Sequence, residues 1–99
     1  MEIITKAENL KLTRSLKNFI NKKIGSLSKF GKGIAQVEVG RTSFHHKKGL
    51  VFRAICQIKN LRTEAKSTNL RKAIVEVKDE MQVRLKKYKE KKNNWKNKL

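Results

Sequence analysis

Apolar and polar residues follow two periods along this chain, and these periods predict six elements of secondary structure. The first is a short β-prone segment over residues 2–8, after which Thr13 offers a hydroxyl that can cap a helix. From residue 14 the apolar residues recur every three or four positions, as on one face of a helix, until Gly31 follows as a stop signal. Gly25 lies inside this predicted helix and weakens it by about 1 kcal/mol relative to alanine. The recurring apolar residues are Leu16, Phe19, Ile20, Ile24 and Leu27.

Strict alternation of apolar and polar residues then predicts three strands. The first of them has Ala35, Val37 and Val39 on one face and ends near Arg41, and a polar loop follows over 42–49. Alternation resumes at residue 50, stops at a tight two-residue turn, and continues beyond it to residue 67, so the last two strands form a hairpin. The turn is Lys59 and Asn60, and the face expected to be buried in the strand before it carries Leu50, Phe52, Ala54, Cys56 and Ile58.

A second amphipathic helix is predicted over residues 70–92, with Ser67 and Thr68 available as caps. Its length is about 35 Å, whereas strands of about seven residues span about 23 Å. The helix is therefore expected to extend past the sheet, and its far part is not held by burial because no apolar position continues the stripe beyond Tyr88. The stripe consists of Leu70, Ala73, Ile74, Val77, Met81, Leu85 and Tyr88.

The order of these elements predicts an α+β fold of the type β-α-β-β-β-α. The first helix is the crossover that lets the first two strands pair in parallel, and the later strands follow as antiparallel neighbours. Two helices with one apolar stripe each cover only one face of a four-stranded sheet, as in double-stranded-RNA-binding domains. We expect one domain over residues 1–92 and a basic tail over 93–99 that is disordered in the free protein.

The charge of the chain points to a polyanionic partner. Its 99 residues include 26 Lys and Arg but 8 Asp and Glu, which gives a formal net charge of +18. Residues 82–99 alone carry eight of these cations and one acid. A small domain with this excess repels itself unless a polyanion neutralises it, and nucleic acid is the first candidate. The alternative is an inert, solubilising basic surface, although such surfaces usually mix both signs. The uncovered face of the sheet, with Arg53, Arg62 and Lys66, is expected to be wet and basic.

Other chemistry is sparse in this sequence. Cys56 is the single cysteine of the chain, which excludes an internal disulfide and fits a reducing compartment. Because it falls on a predicted core face, it is expected to be a small core side chain. The adjacent His45 and His46 have no acid or cysteine at ligand spacing, so no metal site is expected. Glu76 and Glu80 are expected to form ordinary ion pairs with Lys72 and Arg84. We therefore expect a non-enzyme without cofactor or metal. The longest apolar run is far below the roughly 18 residues that span a membrane, so we expect a cytoplasmic protein.

Several groups of residues stand in the order and register of a known family. Leu12 and Thr13 precede the first helix as they do there, and the matching basic and apolar positions at the end of that helix are Lys23, Leu27, Lys29 and Phe30. In the final strand and second helix the matching positions are Ala65, Leu70, Ala73, Ile74, Val77, Asp79, Met81, Leu85 and 87–91. Over nearly its whole length the chain thus resembles the short ribosome hibernation promoting factors, which include the ribosome-associated translation inhibitor. Ser26 and Arg71 depart from the family pattern, in which Lys and Tyr are usual, and Glu80 stands where a basic residue is common.

The resemblance implies a factor that lies on the small ribosomal subunit, where messenger and transfer RNAs would otherwise sit. Such a protein contacts 16S-type ribosomal RNA through basic helix surfaces, blocks initiation in stress or stationary phase, and in the short members favours pairing of idle ribosomes into dimers. We expect a monomer in the free state and no membrane partner. The RNA-binding residues expected on this basis are Lys23, Lys29, Arg84, Lys86, Lys87, Lys89 and Lys91.

Two other functions fit parts of the pattern. A generic double-stranded RNA-binding module shares the helix, three strands and helix, and Arg71 and Lys72 would serve it, but the additional first strand argues against it. An interaction protein at an anionic membrane would need the apolar stripes that the core already uses.

Overall fold

The elements of this computed structural model occur in the order that the sequence predicts, and the α+β fold is confirmed. The structure describes residues 1–30, 33–46 and 49–97, and the side chains of 1–30, 33–42 and 51–88. The elements are β1 (Glu2–Glu8), α1 (Arg14–Gly25), a 3₁₀ helix (Ser26–Phe30), β2 (Ile34–His46), β3 (Gly49–Ile58), β4 (Leu61–Ser67) and α2 (Leu70–Asn97).

The four strands form one mixed sheet in the order β1-β2-β3-β4. β1 and β2 pair in parallel, with Glu2 opposite Ile34 and Glu8 opposite Gly40, because α1 carries the chain back between them. β2, β3 and β4 follow as antiparallel neighbours, and the turn between β3 and β4 contains Lys59 with φ 55°. The predicted crossover and hairpin are therefore both present.

Both helices pack on one face of the sheet and leave the other face uncovered. Each strand turns every second residue toward the helices, as the alternation predicts. The residues buried between sheet and helices include Leu16, Ile20, Ile24, Leu27, Ala35, Val37, Val39, Ala54, Cys56, Ile58, Ala73, Ile74, Val77, Met81 and Leu85. This single core positions the polar surfaces of both layers.

α1 begins as predicted and changes geometry near its end. The Thr13 hydroxyl accepts a hydrogen bond from the backbone N–H of Leu16 at 3.2 Å, which confirms the cap. The α-helix ends at Gly25 and continues as a 3₁₀ helix to Phe30, where the sequence predicts one uninterrupted helix. Glycine is a poor helix former, and the Ser26 hydroxyl donates to the Lys23 carbonyl at 2.6 Å, so both weaken the regular ladder there.

The polar loop expected over 42–49 is wrong, because β2 continues to His46 and β3 begins at Gly49. β1 ends opposite Gly40 and β4 ends opposite Phe52, so this part of the β2–β3 hairpin extends beyond its neighbours as a two-stranded ribbon. A register shift lies between Arg41 and His45. Residues 42–49 lack the alternation of apolar and polar residues that marks the rest of the sheet, so the strands could not be predicted there.

α2 is longer than predicted, and its burial ends earlier. It continues to Asn97, five residues past the expected end, since the chain has no Gly or Pro after Gly49 and is rich in good helix formers. Leu85 is buried, but Tyr88, which was expected in the buried stripe, is 47% exposed. Roughly 24 Å of a helix of about 42 Å thus packs on the sheet, and the rest extends past it. Disorder of 93–99 in the free protein stays a prediction.

Two threonines on the core face of the sheet predict opposite responses to the same substitution. The Thr63 hydroxyl donates to the Val77 carbonyl of α2 at 3.1 Å, and Thr63→Val is expected to lower the free energy of unfolding by about 1 kcal/mol. The Thr5 hydroxyl is buried and has no hydrogen-bond partner among the described residues, so Thr5→Val is expected to raise that free energy by about 1 kcal/mol. Urea unfolding measures both, and changes of equal sign would contradict this explanation.

Candidate nucleic-acid interface

The uncovered face of the sheet is wet but electrically balanced, so the expectation that it is basic is wrong. Its charged residues are four acids, Glu2, Glu8, Glu38 and Glu64, and four bases, Lys6, Arg53, Arg62 and Lys66. The Arg53 guanidinium lies 4.0 Å from the Glu8 carboxylate and 3.9 Å from that of Glu38, and Arg62 lies 3.3 Å from Glu64. The sequence shows the cations of this face, but the strand register is needed to place the acids beside them.

The helix side of the molecule carries the charge excess. We use the name helix layer for residues 10–30 and 70–88, whose side chains the structure describes. Three acids, Glu76, Asp79 and Glu80, stand in this layer against twelve cations. The cations are Lys11, Arg14, Lys17, Lys22, Lys23, Lys29, Arg71, Lys72, Lys78, Arg84, Lys86 and Lys87. Such an arrangement attracts a polyanion toward one side of the protein.

Phe19 on α1 brings together two of these cations from different helices. The Lys23 ammonium lies 5.7 Å from the centre of the Phe19 ring, and the Arg71 guanidinium carbon lies 4.8 Å from it. Arg71 also donates a hydrogen bond to the Ser15 hydroxyl at 3.2 Å, which ties the start of α2 to α1. Contact with an aromatic face holds each cationic head at a fixed place on the surface.

Sequence reasoning included Lys23 in the interface but left out Arg71. The spacing of four between Phe19 and Lys23 is a signal that can be read along one helix. The contact between Phe19 and Arg71 joins positions 52 residues apart, and no local pattern marks it. We add Arg71 to the candidate interface on this contact.

Lys29 belongs to the same side of the molecule. It is exposed at the end of the 3₁₀ helix, which packs against α2, and its ammonium lies 5.5 Å from the centre of the Phe30 ring. Phe30 is half-buried against the core, so the ring that the Lys29 side chain contacts is held in place.

Arg84, Lys86 and Lys87 form a second group of cations on α2. All three are exposed, and none forms an ion pair with any residue whose side chain is described. The ion pairs expected between Glu76 or Glu80 and Lys72 or Arg84 are absent from the described part of the chain. Lys78 instead contacts the neighbouring Asp79 at 2.9 Å. This second group therefore keeps its full charge for an external partner.

The group around Phe19 and the group at Arg84, Lys86 and Lys87 lie far apart along α2. Thirteen residues from Arg71 to Arg84 correspond to about 20 Å along the axis. One phosphate cannot bridge that distance, so a ligand that uses both groups is an extended polyanion. Lys89 and Lys91 continue α2 as predicted, and their side chains lie outside the described residues.

Comparison with known proteins agrees with this geometry. Residues 3–93 match the family model described as Sigma 54 modulation protein / S30EA ribosomal protein. The chain belongs to this family. This match confirms, at the level of the family, the resemblance to the hibernation promoting factors. The positions that carry the resemblance include Lys23, Lys29 and 87–91. No curated protein matches this chain in sequence.

Two solved structures have the same fold as this member of the S30EA family. One is the crystal structure of the Thermus thermophilus Protein Y N-terminal domain, at 20% identity and a TM-score of 0.68, covering 89% of this chain and 99% of that one. The other is the structure of a ribosomal subunit interface protein from Coxiella burnetii, at 15% identity and a TM-score of 0.67, covering 90% and 98%. At these identities the likeness concerns the fold.

The described residues of this family member offer little for other chemistry. No group of three His, Cys, Asp or Glu among them could hold a metal ion, and none of their helices is long and apolar enough to cross a membrane. The side chains of His45 and His46 lie outside the described set. Burial raises the pKa of the Cys56 thiol to about 11, so this group stays protonated and unreactive at neutral pH.

Cys56 predicts a pH dependence of stability in the alkaline range. Between its ordinary pKa of 9.0 and about 11, the unfolded chain releases a proton that the folded chain keeps, so the free energy of unfolding decreases as pH rises. At pH 11 the decrease is expected to be about 2 kcal/mol. Urea unfolding of Cys56→Ala under the same conditions is the reference, because this variant lacks the thiol and keeps the rest of the chain. Parallel pH profiles for the two proteins would contradict the buried-thiol explanation.

Proposed function

We propose that this protein is a ribosome hibernation factor that binds the small ribosomal subunit through ribosomal RNA. Its family consists of ribosome-associated modulation proteins, a non-enzymatic kind of protein. In this proposal the protein acts in the cytoplasm by occupying the channel of messenger and transfer RNAs, and occupancy itself inhibits translation. The Coxiella burnetii neighbour is a ribosomal subunit interface protein, and this supports a site of this kind.

The observation that carries the proposal is the separation of charge between the two faces. Twelve cations oppose three acids in the helix layer, whereas four of each sign balance on the uncovered sheet face. A-form RNA is recognised mainly through its backbone and shape, for which cations spread over a rigid surface are sufficient. We therefore assign RNA binding to Lys23, Lys29 and Arg71 near α1 and to the far end of α2. The residues assigned on α2 are Arg84, Lys86, Lys87, Lys89 and Lys91.

A generic double-stranded RNA-binding module is the second candidate. It shares the helix layer, but β1 is paired along its whole length with β2 and completes a four-stranded sheet, which such a module does not need. A short perfect RNA duplex that binds as tightly as intact small subunits would favour this candidate.

Sedimentation in sucrose gradients tests the proposal most directly. Purified small and large subunits, and the complete ribosome, are mixed with the full chain and fractionated. Co-migration with the small subunit and with complete ribosomes is expected, and a peak of ribosome dimers would add the pairing of idle ribosomes to the function. Protein that remains at the top of every gradient would overturn the proposal.

Charge removal should separate the two faces in a binding measurement. We expect Lys86→Gln/Lys87→Gln to weaken small-subunit binding and to reduce the slope of log K against log salt by about two, because each phosphate contact contributes about one. The matched control is Lys6→Gln/Arg62→Gln, which removes two charges from the uncovered sheet face and is expected to leave the slope within about 0.5 of the parent value. Equal effects of both pairs would mean that only net charge matters.

Truncation after Lys87 tests the far part of α2. It removes five lysines and one glutamate and leaves in place every core residue that the structure describes, so a folded domain with weakened ribosome binding is expected. Circular dichroism and urea unfolding report the fold, and filter binding with small subunits reports the affinity. Unchanged affinity at 150 mM salt would show that residues 88–99 make no contact with the ribosome.

A further inference from the structure

A small pocket lies on the uncovered side of the sheet, at the last row in which all four strands are paired. In that row Glu8 pairs with Gly40, Gly40 with Arg53, and Arg53 with Lys66. Arg41 also lines the pocket, whose volume is about 260 Å³. β1 ends at this row and β4 ends one row later, at Ser67 opposite Phe52, so the row lies next to the end of the four-stranded part of the sheet.

Two cations lie side by side in this pocket, although the face as a whole is balanced. Arg53 and Lys66 project from the uncovered face and line the pocket together with the Glu8 carboxylate, whereas Arg41 lies one position further along β2 and alternates to the other face. Arg53 and Lys66 stand directly opposite each other on neighbouring strands, and like charges in that position destabilise a sheet. Lys66 has no ion pair with any residue whose side chain is described, and an anion between the two would remove the repulsion.

Arg53 is held loosely enough to turn toward such an anion. Its distances to Glu8 and Glu38, 4.0 and 3.9 Å, are long for charge-assisted hydrogen bonds, which usually measure about 2.7–2.9 Å. The Glu8 side chain is 59% exposed, so its carboxylate can move outward when an anion enters. A guanidinium is suited to two parallel hydrogen bonds with phosphate oxygens.

Gly40 keeps the floor of the pocket open. A Cβ atom at this position would come within 3.2 Å of the Glu8 carbonyl oxygen and 3.6 Å of the Glu8 Cβ. Any larger side chain would therefore enter the space between Glu8 and Arg53. The available volume is below the roughly 300–1,000 Å³ of pockets for drug-sized ligands, and it suits a single phosphate or pyrophosphate group.

We propose that the Gly40 pocket binds a phosphate group through Arg53 and Lys66. The site lies on the opposite side of the sheet from the helix layer and goes beyond the proposed function. The phosphate could belong to a free phosphate compound or to the backbone of an RNA strand, and the two sources share the same chemistry at the pocket. A phosphate from RNA would make the protein contact RNA on both sides of the sheet.

Amide chemical shifts of the full, ¹⁵N-labelled chain test this proposal, because they locate binding on a protein that attracts anions everywhere. With inorganic pyrophosphate we expect saturable shifts at Glu8, Gly40, Arg53 and Lys66. Lys66→Gln should weaken this binding about tenfold, the usual size for one charge-assisted hydrogen bond. The matched control Arg62→Gln removes a cation from the same strand and face and should change it by less than about twofold.

A second titration with a short RNA duplex identifies the source of the phosphate. Shifts of the pocket amides at lower concentrations of RNA than of pyrophosphate support a backbone phosphate, and shifts with pyrophosphate alone support a free phosphate compound. Pocket amides that respond to neither probe overturn the proposal. That result leaves the proposed function intact if the helix-layer amides, such as those of Lys23 and Lys86, still respond to RNA. Equal weakening by Lys66→Gln and Arg62→Gln also overturns the pocket, since it would show a general charge effect.

Discussion

The contact between the apolar stripe of α2 and the sheet determines where every other surface of this molecule lies. Ile74, Val77 and Met81 are fully buried, and the hydrogen bond from Thr63 to the Val77 carbonyl fixes the helix along its axis relative to β4. With one helix layer to bury, the sheet keeps its second face in water. Because the buried stripe stops at Leu85, Lys86 and Lys87 directly after it are exposed to solvent while the helix that carries them is anchored in the core.

The few acids of the chain are distributed so that the sheet divides two electrostatic environments. Half of the eight acids lie on the uncovered face, where Glu38 and Glu64 stand beside Arg53 and Arg62. The helix layer is left with three acids for twelve cations, so repulsion between like charges is concentrated there. A uniform basic surface would bind a polyanion in any orientation, whereas this distribution favours one in which the helices face it.

The sequence predicts those parts of the fold in which side chains are buried on one face. It does not predict the parts that lack such burial. Ala54, Cys56 and Ile58 reveal their strand because burial on one face requires alternation, and the spacing of the α2 stripe reveals that helix for the same reason. In the ribbon beyond Gly40, residues 42–49 carry no such alternation, so its strands could not be predicted there. Two other features depend on which residues the tertiary structure brings together: the contact between Phe19 and Arg71, and the balanced charges around Arg53. No periodic pattern along the sequence predicts either of them.

In the proposed function, the order of the far part of α2 and its binding to RNA are coupled by the same charges. A separate helix of about twelve residues is marginal in water, but here the helix is already nucleated by the segment that packs on the sheet, so only propagation is needed. Propagation is opposed by like charges four residues apart, such as Lys87 and Lys91 or Lys92 and Lys96, at about 0.2–0.5 kcal/mol for each pair. Phosphates that neutralise these lysines remove that cost, and by linkage whatever stabilises the helix also strengthens binding. In the proposed function, the core contact at Leu85 therefore adds to the affinity for RNA without being part of the interface.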